Sequence, residues 1–414
     1  MTQVKSLQTG IKFKDTPIGK IPVDWSVTAL GSIASLEYGA SLPEKERIEG
    51  TIPVYGSNGA VGYHNKKLVS GPGIIIGRKG TVGAVTWAAN DFWAIDTTYF
   101  LSKEQCKEPL NLRWLFYLLS NLHLEKLNAA TGIPGINRGE VCSLTIALPA
   151  LPEQNKIAEI LSTVDDAIEE TDEILEKTKE LRKGLMQKLL TRGLGHKKFK
   201  KTEIGEIPEE WKVCTVEDVA AKEKNAIKSG PFGSELKKSI FVRSGYKVYG
   251  QEQVIPDNFS VGNYYISEET FNRLKDFEIR PGDILISLVG TFGKISVVPD
   301  NAEKGIINPR LIKITLDKEK AFPLFVKFLL TSPQTQRQML NYTHGLTMGI
   351  LNTKTVKSLV LPIPPLNEQV KITNVLLGID AEMMIELNRR NRLQTLKKSL
   401  MQVLLTGKVR VKLH

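Results

Sequence analysis

The chain has 414 residues, of which 41% are hydrophobic and 24% charged, and it carries a formal net charge of +11. That length holds two or three domains with ordinary cores, and the positive balance favours a polyanionic partner, DNA or RNA first. Three widely spaced cysteines (Cys106, Cys142, Cys214) and five scattered histidines (His64, His123, His196, His344, His414) form no metal-ligand spacing, so no metal site is expected and a reducing compartment is. No run reaches the ~18 apolar residues of a membrane span, and MTQVKSLQTGIKFKD has no apolar signal core. A cytoplasmic protein without membrane contact is expected.

Residues 1–14 are polar and basic and read as a loose arm. The segment IGKIPVDW (Ile18 to Trp25) follows. Its proline sets an extended backbone, and its tryptophan can anchor on a core. From Thr28 to Ala150 the pattern is short strands and turns. GTIPVYGSNGAVGY (Gly50 to Tyr63) turns at Ser57-Asn58-Gly59, where Asn-Gly tolerates positive φ. GIIIGRKGTVGAVTW (Gly73 to Trp87) reads as strand, glycine-rich turn, strand, and DFWAIDTTYFL as a further strand. LRWLFYLLSNLHLEKL (Leu112 to Leu127) reads as a helix.

At Pro149 the sequence PALPEQNKIAEILSTVD opens a long helix that runs to LRKGLMQKLLT, ending at Thr191. Proline suits a helix start because the N–H it lacks would be orphaned there. Apolar positions recur with 4,3 spacing at Ile157, Leu161, Val164, Ile168, Thr171, Leu175, Thr178, Arg182, Leu185 and Leu189. That is a heptad seam, which asks for a partner helix. The basic stretch GLGHKKFKK (Gly193 to Lys201) then reads as a solvated hinge, with a DNA contact as the alternative.

The second half repeats this order. IGEIPEEW (Ile204 to Trp211) restates the first lead-in. SGPFGSELKK (Ser229 to Lys238) is a bent loop with lysines, and KVYGQEQV, PGDILISLVGTFGKISVV and RLIKITL supply strands. LFVKFLLTS (Leu324 to Ser332) is the matching helix. From Pro364, PPLNEQVKITNVLLGID opens a second long helix that ends at LKKSLMQVLLT, Thr406, at a constant offset of 215 from the first. Its seam is Ile372, Leu376, Ile379, Met383, Glu386, Arg390, Leu393, Lys397, Leu400 and Leu404. Both seams turn polar in the same half, where Thr171 matches Glu386 and Arg182 matches Lys397. Such positions read either as a solvated patch or as a polar register key or partner-binding face. GRKGTVG (Gly77 to Gly83) parallels SLVGTFG (Ser287 to Gly293) at an offset of 210, so the globular parts drift while the helices do not. Each helix spans about 38 residues, roughly 57 Å. Two such helices in one chain most simply pair with each other, antiparallel, as a rod.

No catalytic pattern emerges. The only Pro-Pro, Pro364-Pro365, is flanked by Ile363 and Leu366, which does not fit the Asn/Asp-Pro-Pro-aromatic motif of a methyltransferase acting on an exocyclic amine. Gly-Lys occurs at Gly19-Lys20, Gly293-Lys294 and Gly407-Lys408 but is never followed by Ser or Thr, as a phosphate-binding loop requires. The acidic-x-Lys segments at Glu210 to Lys212 and Glu235 to Lys237 precede the Pro-Asp pairs at Pro256-Asp257 and Pro299-Asp300, the reverse of a common nuclease order. The chain reads as noncatalytic.

The duplicated PALPEQ and PPLNEQ helix starts, the LMQxLLT helix ends, the IPxxW lead-ins and the GTVG and GTFG turns resemble the specificity subunit of type I restriction-modification systems over essentially the whole chain. The resemblance implies an α+β fold. Two α/β target-recognition domains are related by pseudo-twofold symmetry and joined by two long antiparallel helices forming a coiled coil. The implied segments are 1–150, 151–192, 193–365 and 366–414: first recognition domain, first helix, linker with second recognition domain, second helix with tail. Each domain would read one half of a bipartite, asymmetric site on double-stranded DNA, and the coiled coil would set the spacer. Two modification (methyltransferase) subunits and two restriction (translocase-nuclease) subunits are the implied partners. S-adenosylmethionine, ATP and Mg belong to those partners, and this chain is expected to bind no cofactor. The family can also close circularly, with the first lead-in near the end of the second helix. A specificity module for another restriction-modification type, or a coiled-coil scaffold without nucleic acid, stays as the alternative.

Base readout needs Arg or Lys for guanine and Asn or Gln for adenine; phosphate contacts need Lys, Arg, Ser, Thr or turn amides. The candidates in the first half are Ser57, Asn58, Arg78, Lys79, Thr81, Asn137 and Arg138. In the second half they are Ser229, Phe232, Ser234, Gln251, Thr291, Lys294, Arg310 and His344. Phe232 could meet a thymine methyl, although a buried turn anchor is the commoner role for such a phenylalanine. Arg78 and Lys79 stand where the second half has Leu288 and Val289.

Overall fold

The computed structural model describes residues 12–127, 135–288, 293–343 and 352–413. Thr291 and His344 lie outside this set. The chain forms two compact units, Met1–Glu173 with Leu387–His414 and Ile174–Glu386.

The first unit begins with a hairpin, Phe13–Thr16 against Gly19–Pro22, so the basic arm gives way to a strand earlier than its composition suggests. The tryptophan of the lead-in, Trp25, is 1% exposed. Strand Ser26–Ala29 pairs with Thr145–Leu148. An antiparallel sheet follows in the order Glu37–Tyr38, Thr98–Ser102, Gly73–Gly77, Val85–Ala88. Its two central strands are fully buried, which explains why they read as continuous apolar runs without alternation. A smaller sheet holds Gly59–His64, Ile52–Gly56 and Trp93–Ala94, the last pair parallel. The expected strand at DFWAIDTTYFL is thus two strands, one in each sheet.

The second unit follows the same plan. A hairpin pairs Phe199–Thr202 with Gly205–Pro208, and Lys212–Thr215 pairs with Val360–Ile363. The main sheet runs Ile227–Ser229, Leu311–Ile314, Ile284–Ser287, Ile295–Val297. The smaller sheet has Phe241–Val242, Tyr265–Ile266, Tyr246–Tyr249 and Gly305–Ile307, again with one parallel pair. KVYGQEQV is strand only to Tyr249. Gln251–Val254 is helical because the Gln253 side chain accepts the Gly250 N–H at 2.7 Å and starts a turn.

Leu112–Asn121 is helical, with Asn111 as its cap, but stops before His123, which adopts φ 54°. The matching helix, Pro323–Thr331, is followed by a further one, Pro333–Thr343, absent from the sequence reading. The long helices are Leu151–Arg192 and Leu366–Leu404, so their starts keep the repeat offset. Every predicted seam position on both helices is buried or half-buried. In the first unit Ile157 and Leu161 share a core with Trp25, Trp114, Leu404 and Leu405. In the second, Leu189, Leu190, Ile372 and Leu376 share one with Trp211 and Phe325. Each fully buried aliphatic side chain of this kind contributes roughly 1.5–3 kcal/mol.

The repeat-equivalent polar seam positions Arg182 and Lys397 form ion pairs between the helices. In the first unit Lys397 Nζ lies 2.6 Å from Asp165; in the second Arg182 donates to Asp380, with Nη2 at 3.2 Å from Oδ2. These pairs are repeat-equivalent, Arg182 matching Lys397 and Asp380 matching Asp165. Opposite charges facing across antiparallel helices favour one register over its neighbours.

Candidate nucleic-acid interface

The glutamates of the duplicated helix starts turn inward. Glu153 is 2% exposed and accepts from Trp25 Nε1 at 2.8 Å and from Arg410 Nε and Nη2 at 2.5 and 2.8 Å. Glu368 accepts from Trp211 Nε1 at 3.1 Å and from the Leu194 N–H at 2.9 Å, and meets His196 Nε2 at 2.8 Å. The motif LPEQ/LNEQ and the motif IPxxW are therefore two halves of one buried joint. The segment Gly193–Lys201 is not the solvated hinge its composition suggests, since Glu368 holds its start and Phe199 begins a strand. In the first unit the segment after the second long helix closes on the lead-in, as Arg410 also grips Asp24 at 2.7 and 2.8 Å and holds that carboxyl below its ordinary range.

With those motifs occupied in the frame, the candidate side chains that remain lie on or beside the loops. In the first unit the candidates converge although the sequence separates them. The Thr97 carbonyl accepts from Ser57 Oγ at 2.7 Å and from the Arg78 and Lys79 N–H groups at 2.9 and 3.1 Å. Gly77 packs between Ser57 and Thr81; a Cβ there would come within 2.2 Å of the Thr81 carbonyl. Lys79 bridges Gly135, and the Ile136 N–H donates to the Arg78 carbonyl at 3.1 Å, which brings in Asn137 and Arg138. Asn58 is exposed at the hairpin tip beside Ser57, and Lys79 and Thr81 are exposed as well. The Asn137 side chain caps the helix Arg138–Cys142, accepting the Gly139 N–H at 2.7 Å. Tyr38, not among the sequence candidates, lies under both Arg78 and Arg138 at 5.0 and 5.2 Å. Its two-residue strand is too short for periodicity to reveal.

In the second unit the bent loop and the Arg310 turn meet. A Cβ on Gly230 would reach 1.9 Å from the Asn308 carbonyl, and the Gly230 N–H donates to Leu311. Phe232 is 82% exposed, so the buried-anchor reading fails. Its N–H donates to the Glu235 carboxylate at 3.0 Å and its carbonyl accepts the Glu235 N–H at 2.9 Å, which closes the loop into a short turn that leaves the ring outside the core. Ser229 ends a strand and is half-buried, and Ser234 is exposed. Gln251 and Arg310 line a cleft of about 380 Å³ with Lys238, Tyr264 and Asn308, three further residues the sequence reading missed. Lys294 is exposed beyond the sheet turn, its N–H donating to Ser287 Oγ at 3.1 Å. The Leu288 N–H donates to the Arg310 carbonyl at 2.9 Å, the same junction that Arg78 and Thr97 form in the first unit. Both units place an arginine at this strand end, from opposite sides of the junction.

Among the described residues no helix is long and apolar enough to cross a membrane. The model of the type I restriction modification DNA specificity domain matches residues 22–180 and 208–398. The chain is 28% identical to the type I restriction enzyme MjaVIII specificity subunit of Methanocaldococcus jannaschii, over 97% of this chain and 96% of the relative. It is 31% identical to the putative MjaX specificity subunit of the same organism, over 74% and 70%. Its fold is similar to that of the type I restriction-modification S subunit from M. genitalium, with TM-score 0.61 and 18% identity over 96% of this chain and 99% of the other. These matches span both repeats, so this chain belongs to the family of type I restriction-modification specificity subunits.

Proposed function

We propose that each unit reads one half of a bipartite, asymmetric site on double-stranded DNA. The observation that carries this reading is the contrast between frame and loops. The two units share strand order, lead-in and buried glutamate joint, yet expose different side chains at the same junction: Arg78, Lys79 and Arg138 in one, Phe232, Lys238 and Arg310 in the other. Different readers on a repeated frame suit a non-palindromic sequence. The two long helices each pass from one unit to the other and set the number of unread base pairs. Leu377 and Met384, one heptad apart on the second helix and 38% and 56% exposed, are part of the surface offered to the two modification subunits, with two restriction subunits completing the assembly. The chain itself is noncatalytic and works in the cytoplasm; S-adenosylmethionine, ATP and Mg act on the partners.

Methylation mapping at single-base resolution tests this. The chain is co-expressed with its cognate modification subunit, with controls lacking either. A bipartite adenine-methylated motif that needs both proteins is expected. Methylation without this chain, or none from a soluble complex, refutes the proposal and favours a coiled-coil scaffold.

A further inference from the structure

Arg78 and Arg138 are 60 positions apart in sequence but share one ring. Their guanidinium carbons lie 5.0 and 5.2 Å from the Tyr38 ring centre, within cation–π reach. Each is also tied to the backbone. Arg78 Nη1 donates to the Asp96 carbonyl at 3.0 Å, and Arg138 Nη1 donates to the Leu36 carbonyl at 3.3 Å. The ring is itself anchored. Tyr38 pairs with Tyr99 across the sheet, and their rings meet edge-on at 5.1 Å. Tyr99 is 1% exposed and its hydroxyl donates to the Ile136 carbonyl at 2.9 Å; burial raises that phenol's pKa, so it stays a donor. Tyr38 is 49% exposed, so the platform is rooted in the core and open to solvent.

Two guanidiniums on one ring repel each other, and among the described residues a single carboxylate comes within ion-pair reach of either. That is Glu37, 4.0 Å from Arg138. The site therefore keeps excess positive charge and donors to spare. A free arginine surrenders rotamer freedom on binding; here stem and plane are set beforehand. A phosphate can also take the guanidinium fork, but its tetrahedral oxygens do not demand one fixed plane. A guanine edge offers O6 and N7 as two acceptors side by side and needs one.

We propose that Tyr38 is a positioning residue that holds Arg78 and Arg138 as one preset reader of guanine in the half-site of the first unit. This rests on the DNA-reading function proposed above. The second unit has Leu288 in place of Arg78, so the effect is confined to one half-site.

The test is methylation mapping of the full chain with its modification subunit, for wild type, R78K, R138K, Y38L and Y38F. R78K and Y38L are expected to relax a guanine position in one half-site by about 5- to 100-fold, with R138K affecting the same half-site. Y38F, which keeps the ring, is expected to retain the wild-type motif. The unaltered remaining positions of the same half-site report that the first unit of each variant is folded. Should Y38L fail to fold, R78K and R138K decide, since Arg138 is exposed, Arg78 is half-buried and lysine keeps the charge of each. Uniform loss with no position relaxed means phosphate contact and overturns the inference. So does an unchanged motif, or a half-site without guanine. A wild-type chain that directs no bipartite motif overturns the underlying function instead.

Discussion

Replacing Arg410 with alanine tests the buried joint of the first unit. Glu153 is 2% exposed and has three N–H donors, two of them from Arg410. The variant leaves a buried carboxylate with only the Trp25 indole. Stranding a buried charge in this way costs about 3–5 kcal/mol. The second Arg410 partner, Asp24, has a side chain 58% exposed, so that pair adds at most about 1 kcal/mol. Adding E153Q removes the stranded charge and is expected to recover at least half of the loss. A chain of two units need not unfold in one step, so the assay is native-state hydrogen exchange resolved by segment. Faster exchange is expected at Ile21–Ala29 and Leu151–Val164, with the second unit unchanged. If R410A lowers the opening free energy of those segments by less than about 1 kcal/mol, or if E153Q brings no recovery, the joint does not stabilise the unit in the way described.

Tyr117 donates to Asp165 at 2.6 Å, and burial with that bond pushes its phenol up to about 12. The unfolded phenol titrates near 10, so between about pH 10 and 12 the folded state binds the extra proton and stability falls as pH rises. Y117F is expected to flatten that alkaline loss in a denaturation series, and an unchanged slope would exclude Tyr117 as its source. R182D should destabilise the second unit and D380R should restore it, with a coupling of about 0.5–1 kcal/mol in a double-mutant cycle, because both side chains are about one-third exposed. Additive effects would show that the pair does not set the register. F232A should leave the stability of the second unit within about 0.5 kcal/mol of wild type while weakening methylation of bipartite sites. A folding defect with unaffected methylation would make Phe232 a structural residue after all.

The frame is legible in the residues alone. Period and repeat sufficed for the long helices because a heptad seam and a proline start are local signals, and every predicted seam position is buried or half-buried. The strands Gly73–Gly77 and Thr98–Ser102 were likewise visible as apolar runs. The meaning of the repeated motifs was not. Glu153 and Trp25 are 128 positions apart, and only folding makes them one hydrogen bond. The same holds for the candidate recognition residues. Arginine and lysine on loops stand out by residue type, but Tyr38 sits in a two-residue strand and Asn308 beside a turn, where no periodicity exists to be read. Phe232 had a composition that favoured burial, and a turn closed by Glu235 decided otherwise. Local chemistry fixes which segments become helix or strand; which loops meet, and what they hold out to a partner, is set by tertiary contacts between residues far apart in the chain.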